Sequence, residues 1–69
     1  MTTLDARGYS CPEPMVMLKK ALKTEKELTL LVDNKASFEN CEYYAERSGY
    51  AVVTTVAGGE WSLHLKAKS

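Results

Sequence analysis

A chain of 69 residues with nine basic and nine acidic side chains is sized for one domain, which buries only about 60% of the surface its unfolded form exposes and has no room for a deep substrate pocket. The charges cancel and form no positive stripe of the kind a phosphate backbone requires, which speaks against direct nucleic-acid binding. The apolar runs fall far short of the ~18 residues of a spanning helix and no charged-then-apolar leader opens the sequence, so a soluble, cytoplasmic protein without membrane insertion is expected.

Leu4 and Ala6 alternate with Thr3 and Asp5, which predicts a first strand over residues 2–6, followed by a loop, Arg7-Gly8-Tyr9-Ser10. Cys11, Met15, Leu18 and Leu22 recur at offsets of four, three and four residues, placing an apolar stripe on a helix that starts at Pro12 and runs to about Lys23. Lys19, Lys20 and Lys23 load the end of this helix with the charge its dipole favours. Residues 27–33 alternate as a central strand, with Leu28, Leu30 and Val32 on one face and Thr29 and Leu31 on the other. Asn34 is an N-cap for a second helix that carries Phe38, Cys41, Ala45 and Ser48 on one side and stops at Gly49. Residues 50–57 and 60–68 form a hairpin about Gly58-Gly59, the last strand turning Trp61, Leu63, Leu65 and Ala67 to one side. Ser62, His64, Lys66 and Lys68 then face water.

This βαβαββ order predicts a two-layer α/β sandwich: a right-handed crossover after the first strand, and a four-stranded mixed sheet with both helices on one face.

Chemistry concentrates in Cys11-Pro12-Glu13-Pro14. A residue before proline is pushed toward extended geometry, which suits an N-cap, so the Cys11 thiol is aimed at a helix start. Unpaired N–H groups and the dipole there favour thiolate over thiol. Arg7 is a candidate for electrostatic help. Pro12 and Pro14 each remove one donor, however, leaving Glu13 as the main first-turn N–H, and the Glu13 carboxylate opposes a nearby negative sulfur. A stiff loop that presents the sulfur outward therefore matters more than acidity. On spacing alone a second reading stays open, in which Cys11 is a small buried residue starting a helix.

Cys41, thirty positions on and inside an apolar stripe, reads as a core residue. The two cysteines form neither a Cys-x-x-Cys pair nor a zinc pattern, and both are read as thiols. His64 has no ligand-spaced partner and is read as a surface residue. Met15 belongs to the buried stripe, whereas Met17 points elsewhere and is a candidate, with Tyr9, for a soft docking patch. Gly58-Gly59 is internal, unlike the terminal diglycine of ubiquitin-like sulfur carriers.

The run Leu4-Asp5-Ala6-Arg7-Gly8-Tyr9-Ser10-Cys11-Pro12-Glu13-Pro14, continued by Lys19-Lys20-Ala21-Leu22, resembles the TusA/SirA family of small sulfur-relay proteins. The resemblance spans the whole chain and implies one TusA-like domain over residues 1–69 with the sandwich fold just described. Val32-Asp33-Asn34 and Gly58-Gly59-Glu60-Trp61 are similar to the YedF-type branch, which is linked to selenium or sulfur metabolism. What the family implies is a sulfur carrier, a sulfurtransferase-like relay without a full active site. On this resemblance Cys11 is expected to accept a sulfane sulfur as a persulfide from a cysteine desulfurase or a rhodanese-like protein and to hand it to an acceptor protein. The routes served are tRNA thiolation, cofactor synthesis or sulfur oxidation. Pro12, Glu13, Pro14, Arg7 and Gly8 are the supporting motif, and no metal or organic cofactor is called for. Two departures are Cys41, which the signature does not require, and Lys35, where many relatives carry proline.

Two rivals stand beside this reading. In one, the motif shapes a redox-sensitive regulatory or binding module in which Cys11 is only a contact. In the other, the carrier works beside a membrane thiosulfate transporter, processing sulfur just after uptake.

Overall fold

Gly58 and Gly59 sit between two stretches of strict alternation, and both adopt positive φ, +59° and +78°. Two such residues in succession give the two-residue turn whose twist matches that of paired strands. In the computed structural model, which describes residues 2–10 and 13–68, this turn joins β3 (Tyr50–Ala57) to β4 (Glu60–Ala67), paired without a break from Ala57↔Glu60 to Tyr50↔Ala67. Upstream lie β1 (Thr2–Asp5), α1 (Glu13–Ala21), β2 (Glu27–Val32) and α2 (Lys35–Arg47). The sheet order is β1-β2-β4-β3, with β1 parallel to β2 and the other pairs antiparallel. This is the predicted four-stranded mixed sheet with two helices.

The core follows from the alternation. Leu28, Leu30 and Val32 of β2 stand opposite Leu65, Leu63 and Trp61 of β4, and the five aliphatic residues of this set are fully buried. Leu18 of α1, Cys41 and Ala45 of α2, and Ala6 just after β1 close the cluster. Each fully buried aliphatic side chain contributes about 1.5–3 kcal/mol of transfer free energy, so this cluster outweighs any single polar contact described below. Phe38 of α2 stacks on Trp61 of β4, with centroids 5.6 Å apart and planes 11° from parallel, and seals one end of the core. No described helix is long and apolar enough to cross a membrane.

The observed element ends differ from the sequence reading by one or two residues. Ala6 leaves β1 but still donates its N–H to the Leu31 carbonyl at 2.8 Å. The described part of α1 stops at Ala21, not Lys23, because Lys23 and Thr24 close tighter bonds to the Lys20 and Ala21 carbonyls. Asp33 lies beyond β2 and Lys68 beyond β4.

Two stripes are also broader than expected. Pro14 is fully buried, Met17 is half-buried against the core, and Val16 is exposed. Met15, Leu18 and Leu22 lie on the core as expected, and Pro14, Met17 and Ala21 join them, so Met17 faces inward and not toward a partner as expected. The reason is that the proline ring is itself apolar and takes the core position. In α2 Phe38, Cys41 and Ala45 lie on the core as expected, and Ser37 is buried beside them. Ser48, expected on the same side, is the exposed C-cap residue, and Gly49 follows at φ +87°.

The face of the sheet away from the helices is wet at Lys66 and Lys68 but half-buried at Ser62 and His64. There His64 has a carboxylate partner that spacing did not show: Glu27 on β2, one residue beyond its direct neighbour Thr29 along the adjacent strand face, brings Oε2 within 2.8 Å of Nε2.

Candidate functional site

Cys11 and Pro12 lie outside the described residues, so the site is defined by what surrounds them in the chain: the loop of residues 7–10 and the first turn of α1. Since Asp5 pairs with Leu31 and Val32 with Trp61, the ends of β1 and β2 and the start of β4 share one end of the sheet. Both helices also follow from the strand ends there. This end is where loops leave the carboxyl ends of the two parallel strands, and the Cys11 segment springs from the first of them.

The loop is held at three points. Gly8 has φ +88°, a conformation that L side chains rarely adopt, and its N–H donates to Asp33 Oδ2 at 2.9 Å. One residue on, the Tyr9 carbonyl accepts from Asn34 Nδ2 at 3.2 Å. The same Asn34 side chain caps α2, its Oδ1 accepting the Ser37 N–H at 2.8 Å from a residue with extended φ and ψ of −144° and 150°. One amide thus ties the start of α2 to the loop preceding Cys11. The third point is a turn bond from the Tyr9 N–H to the Ala6 carbonyl at 3.4 Å.

Arg7 and Gly8 were expected to support the site, and the structure gives each a definite partner. The Arg7 guanidinium grips the Asp5 carboxylate through Nε and Nη2, both at 2.9 Å, and reaches Glu60 Oε1 through Nη1 at 3.3 Å. Hydrogen bonds from Arg7 hold the Asp5 pKa down at about 2, and the same contacts raise that of Arg7 further. The guanidinium charge is therefore offset by two carboxylates, so its work is to brace the end of β1 against the start of β4.

The donor that sequence reasoning left for the sulfur is also used. The Glu13 N–H bonds to the Ser10 carbonyl at 3.0 Å, linking the residues that flank Cys11 and Pro12 in the chain. With prolines at positions 12 and 14 supplying no N–H, the described first turn offers an anion little. Glu13 itself is exposed and Pro14 is buried. Tyr9 is half exposed, and the outward-facing apolar side chain on α1 is Val16, not Met17.

Cys41 is fully buried among core residues, in line with its reading as a core side chain. Among the described residues no cluster of three or more His, Cys, Asp or Glu side chains is placed to hold a metal ion.

Sequence reasoning missed Asp33 as a loop anchor and the second hydrogen bond of Asn34. A polar Asp-Asn pair directly after an apolar strand was the visible signal, but it pointed equally well to a plain helix cap.

Residues 2–67 match the family described as Sulfurtransferase TusA. Among curated proteins, the chain is 41% identical over 56 residues to "Putative sulfur carrier protein MJ0990" of Methanocaldococcus jannaschii, covering 77% of this chain and 75% of that one. It is 34% identical to a "Putative sulfur carrier protein" of Thermotoga maritima, covering 96% and 90%. A third relative, "Putative sulfur carrier protein YrkF" of Bacillus subtilis, is 35% identical over 94% of this chain, which spans only 37% of that protein. Among solved structures, the crystal structure of a SirA-like protein from Desulfitobacterium hafniense superposes with a TM-score of 0.85 at 35% identity over the full length of both chains. With the family match, the fold and these relatives in agreement, the chain belongs to the TusA family of SirA-like proteins.

Proposed function

We propose that this chain is a sulfur carrier whose Cys11 is loaded as a persulfide by one protein and unloaded by another. The observation that carries the reading is the family match over residues 2–67, joined to a cysteine set in Cys-Pro-Glu-Pro directly after a loop that Asp33 and Asn34 tether. Relatives named as sulfur carriers support it.

The Cys11 thiolate attacks the terminal sulfur of a donor persulfide. The donor S–S bond breaks, a new S–S bond forms on Cys11, and the donor leaves as a thiolate, with no net oxidation. An acceptor thiolate then attacks the same terminal sulfur and releases Cys11 as it was. Donors that fit are a cysteine desulfurase or a rhodanese-like protein. Acceptors are proteins of tRNA thiolation, cofactor synthesis or sulfur oxidation, or a carrier step beside a thiosulfate transporter. A selenium cargo obeys the same exchange chemistry. A reducing, cytoplasmic setting keeps the cysteine available between rounds.

With few N–H donors left at the head of α1, the local structure favours presentation over acidity: a tethered loop lowers the ordering cost of meeting a partner's sulfur. Incubating the protein with a cysteine desulfurase and cysteine, then weighing it intact, tests the proposal. Wild type should gain one sulfur atom and Cys11→Ala none. An unchanged wild-type mass, or an equal gain in Cys11→Ala, overturns it.

A further inference from the structure

The two edges of the sheet are treated differently. β1, at one edge, is only four residues long and ends in the charged Asp5. β3, at the other, runs for eight residues, Tyr-Ala-Val-Val-Thr-Thr-Val-Ala, without a charge or a proline. Its pairing with β4 is continuous, so no bulge twists it away. Val53 and Val56 on this strand are 64% and 61% exposed. Short length, charge, proline and bulges are the means by which natural edge strands avoid pairing with another chain, and β3 uses none of them.

The phase of the ladder says which backbone groups point outward. A two-residue turn makes its flanking residues, Ala57 and Glu60, a hydrogen-bonded pair, and alternate pairs follow along the hairpin. The bond from the Lys68 N–H to the Gly49 carbonyl fits this phase, and so does that from the Ala67 N–H to the Lys26 carbonyl on the far side of β4. The N–H and C=O groups of Tyr50, Val52, Thr54 and Val56 therefore face the open edge. None of residues 50–57 takes part in a backbone hydrogen bond outside the regular ladders among the described residues.

We propose that β3 pairs antiparallel with β3 of a second copy about a two-fold axis at Val53, making one continuous sheet across a homodimer. The register follows from two requirements. Outward groups must meet outward groups, and side chains placed opposite must lie on the same face. Setting Val52 opposite Thr54 of the partner copy, and Tyr50 opposite Val56, satisfies both and leaves no outward N–H or C=O of the strand unpaired. Val53 then meets its own symmetry mate on the face away from the helices, and Ala51 meets Thr55. Tyr50 with Val56 is an aromatic pair with a β-branched residue, Val52 with Thr54 and Val53 with its mate are β-branched pairs, Ala51 with Thr55 sets a small residue beside a β-branched one, and no like charges oppose. This strand is self-complementary, which is why a second copy fits it better than a chain of other composition. The contact is a single strand edge, smaller than the ~800 Å² per partner of standard interfaces, so the dimer is in equilibrium with monomer. β3 lies at the edge opposite β1, from which the Cys11 loop leaves, so both copies keep that loop open.

Sedimentation velocity over a wide concentration range tests the pairing, with circular dichroism as the control for folding. Wild type should move from monomer to dimer as concentration rises. Val53→Lys, at an exposed position where two like charges would meet, should raise the dissociation constant roughly tenfold or more. Val56→Pro, which removes an outward donor, should act in the same direction. Register is read with Val53→Cys in a Cys11→Ser background. Mild oxidation should link it across the axis, whereas Ala51→Cys, set opposite Thr55, should link poorly. A wild type that stays monomeric into the millimolar range, a dimer untouched by Val53→Lys, or equal cross-linking at both positions overturns the proposal.

Discussion

Helix α2 starts on a side chain of its own, whereas α1 starts on a loop that other elements hold. Asn34 supplies the acceptor that a helix N-terminus lacks, with its oxygen 2.8 Å from the Ser37 nitrogen. At the head of α1 two prolines carry no donor and the Glu13 N–H is spent on Ser10, so little is offered to a ligand or to the neighbouring sulfur. The first arrangement stabilises a helix. The second leaves the loop that precedes Cys11 in the chain fixed from outside by Asp33 and Asn34. The start of the second helix thus holds the loop that leads to the first.

The sharpest way to break this contrast is Asn34→Ala, which removes both the cap and the Tyr9 tether. Their combined loss should cost about 2 kcal/mol in urea unfolding. Asn34→Asp separates the two roles, because the carboxylate keeps the cap acceptor but donates nothing to Tyr9. It should cost about 1 kcal/mol or less, while amide exchange in the loop rises as much as in Asn34→Ala. Equal stability losses in the two variants would show that the cap contributes nothing.

Pro14→Ala comes next, at about 1 kcal/mol, since it removes a buried ring and adds freedom to the unfolded chain. A neutral result would mean that Pro14 is not the core residue described here. Asp33→Ala, which acts on an exposed contact, should cost less than 1 kcal/mol but loosen Gly8 selectively in amide exchange.

The smallest effect is the Asp5–Arg7 contact. Asp5 is held at about 2, below its ordinary 3.8. A depressed carboxylate contributes stability that is fully present above the unfolded value and is lost as pH falls through the folded one. The stability gap between wild type and Asp5→Asn should therefore close between about pH 4 and pH 2 and stay constant above. A gap that instead opens as pH falls would contradict the ion pair.

Regular elements were legible because their signals are local. Alternation in residues 60–67 named Leu63 and Leu65 as core, and Gly58-Gly59 named the turn. Asn34 was legible as a cap for the same reason. Its bond to Tyr9 and that of Asp33 to Gly8 join residues 25 apart, and no pattern within a strand or helix encodes such a pair. Arg7 was picked out as a charge near the cysteine, yet the partners that absorb its charge depend on how β1 and β4 come together at one sheet end. Pro14 was read as part of a motif, and that reading hid its second role as an apolar side chain in the core.

The proposed carrier role of Cys11, set against the buried thiol of Cys41, is tested most directly by mapping sulfur along the chain. Native protein is loaded by a desulfurase, trapped with an alkylating reagent and sequenced by tandem mass spectrometry. The account predicts the added sulfur on the peptide holding Cys11, with Cys41 unmodified until the protein is unfolded. Sulfur on Cys41, or a Cys11 that stays unlabelled in the folded state, would contradict it.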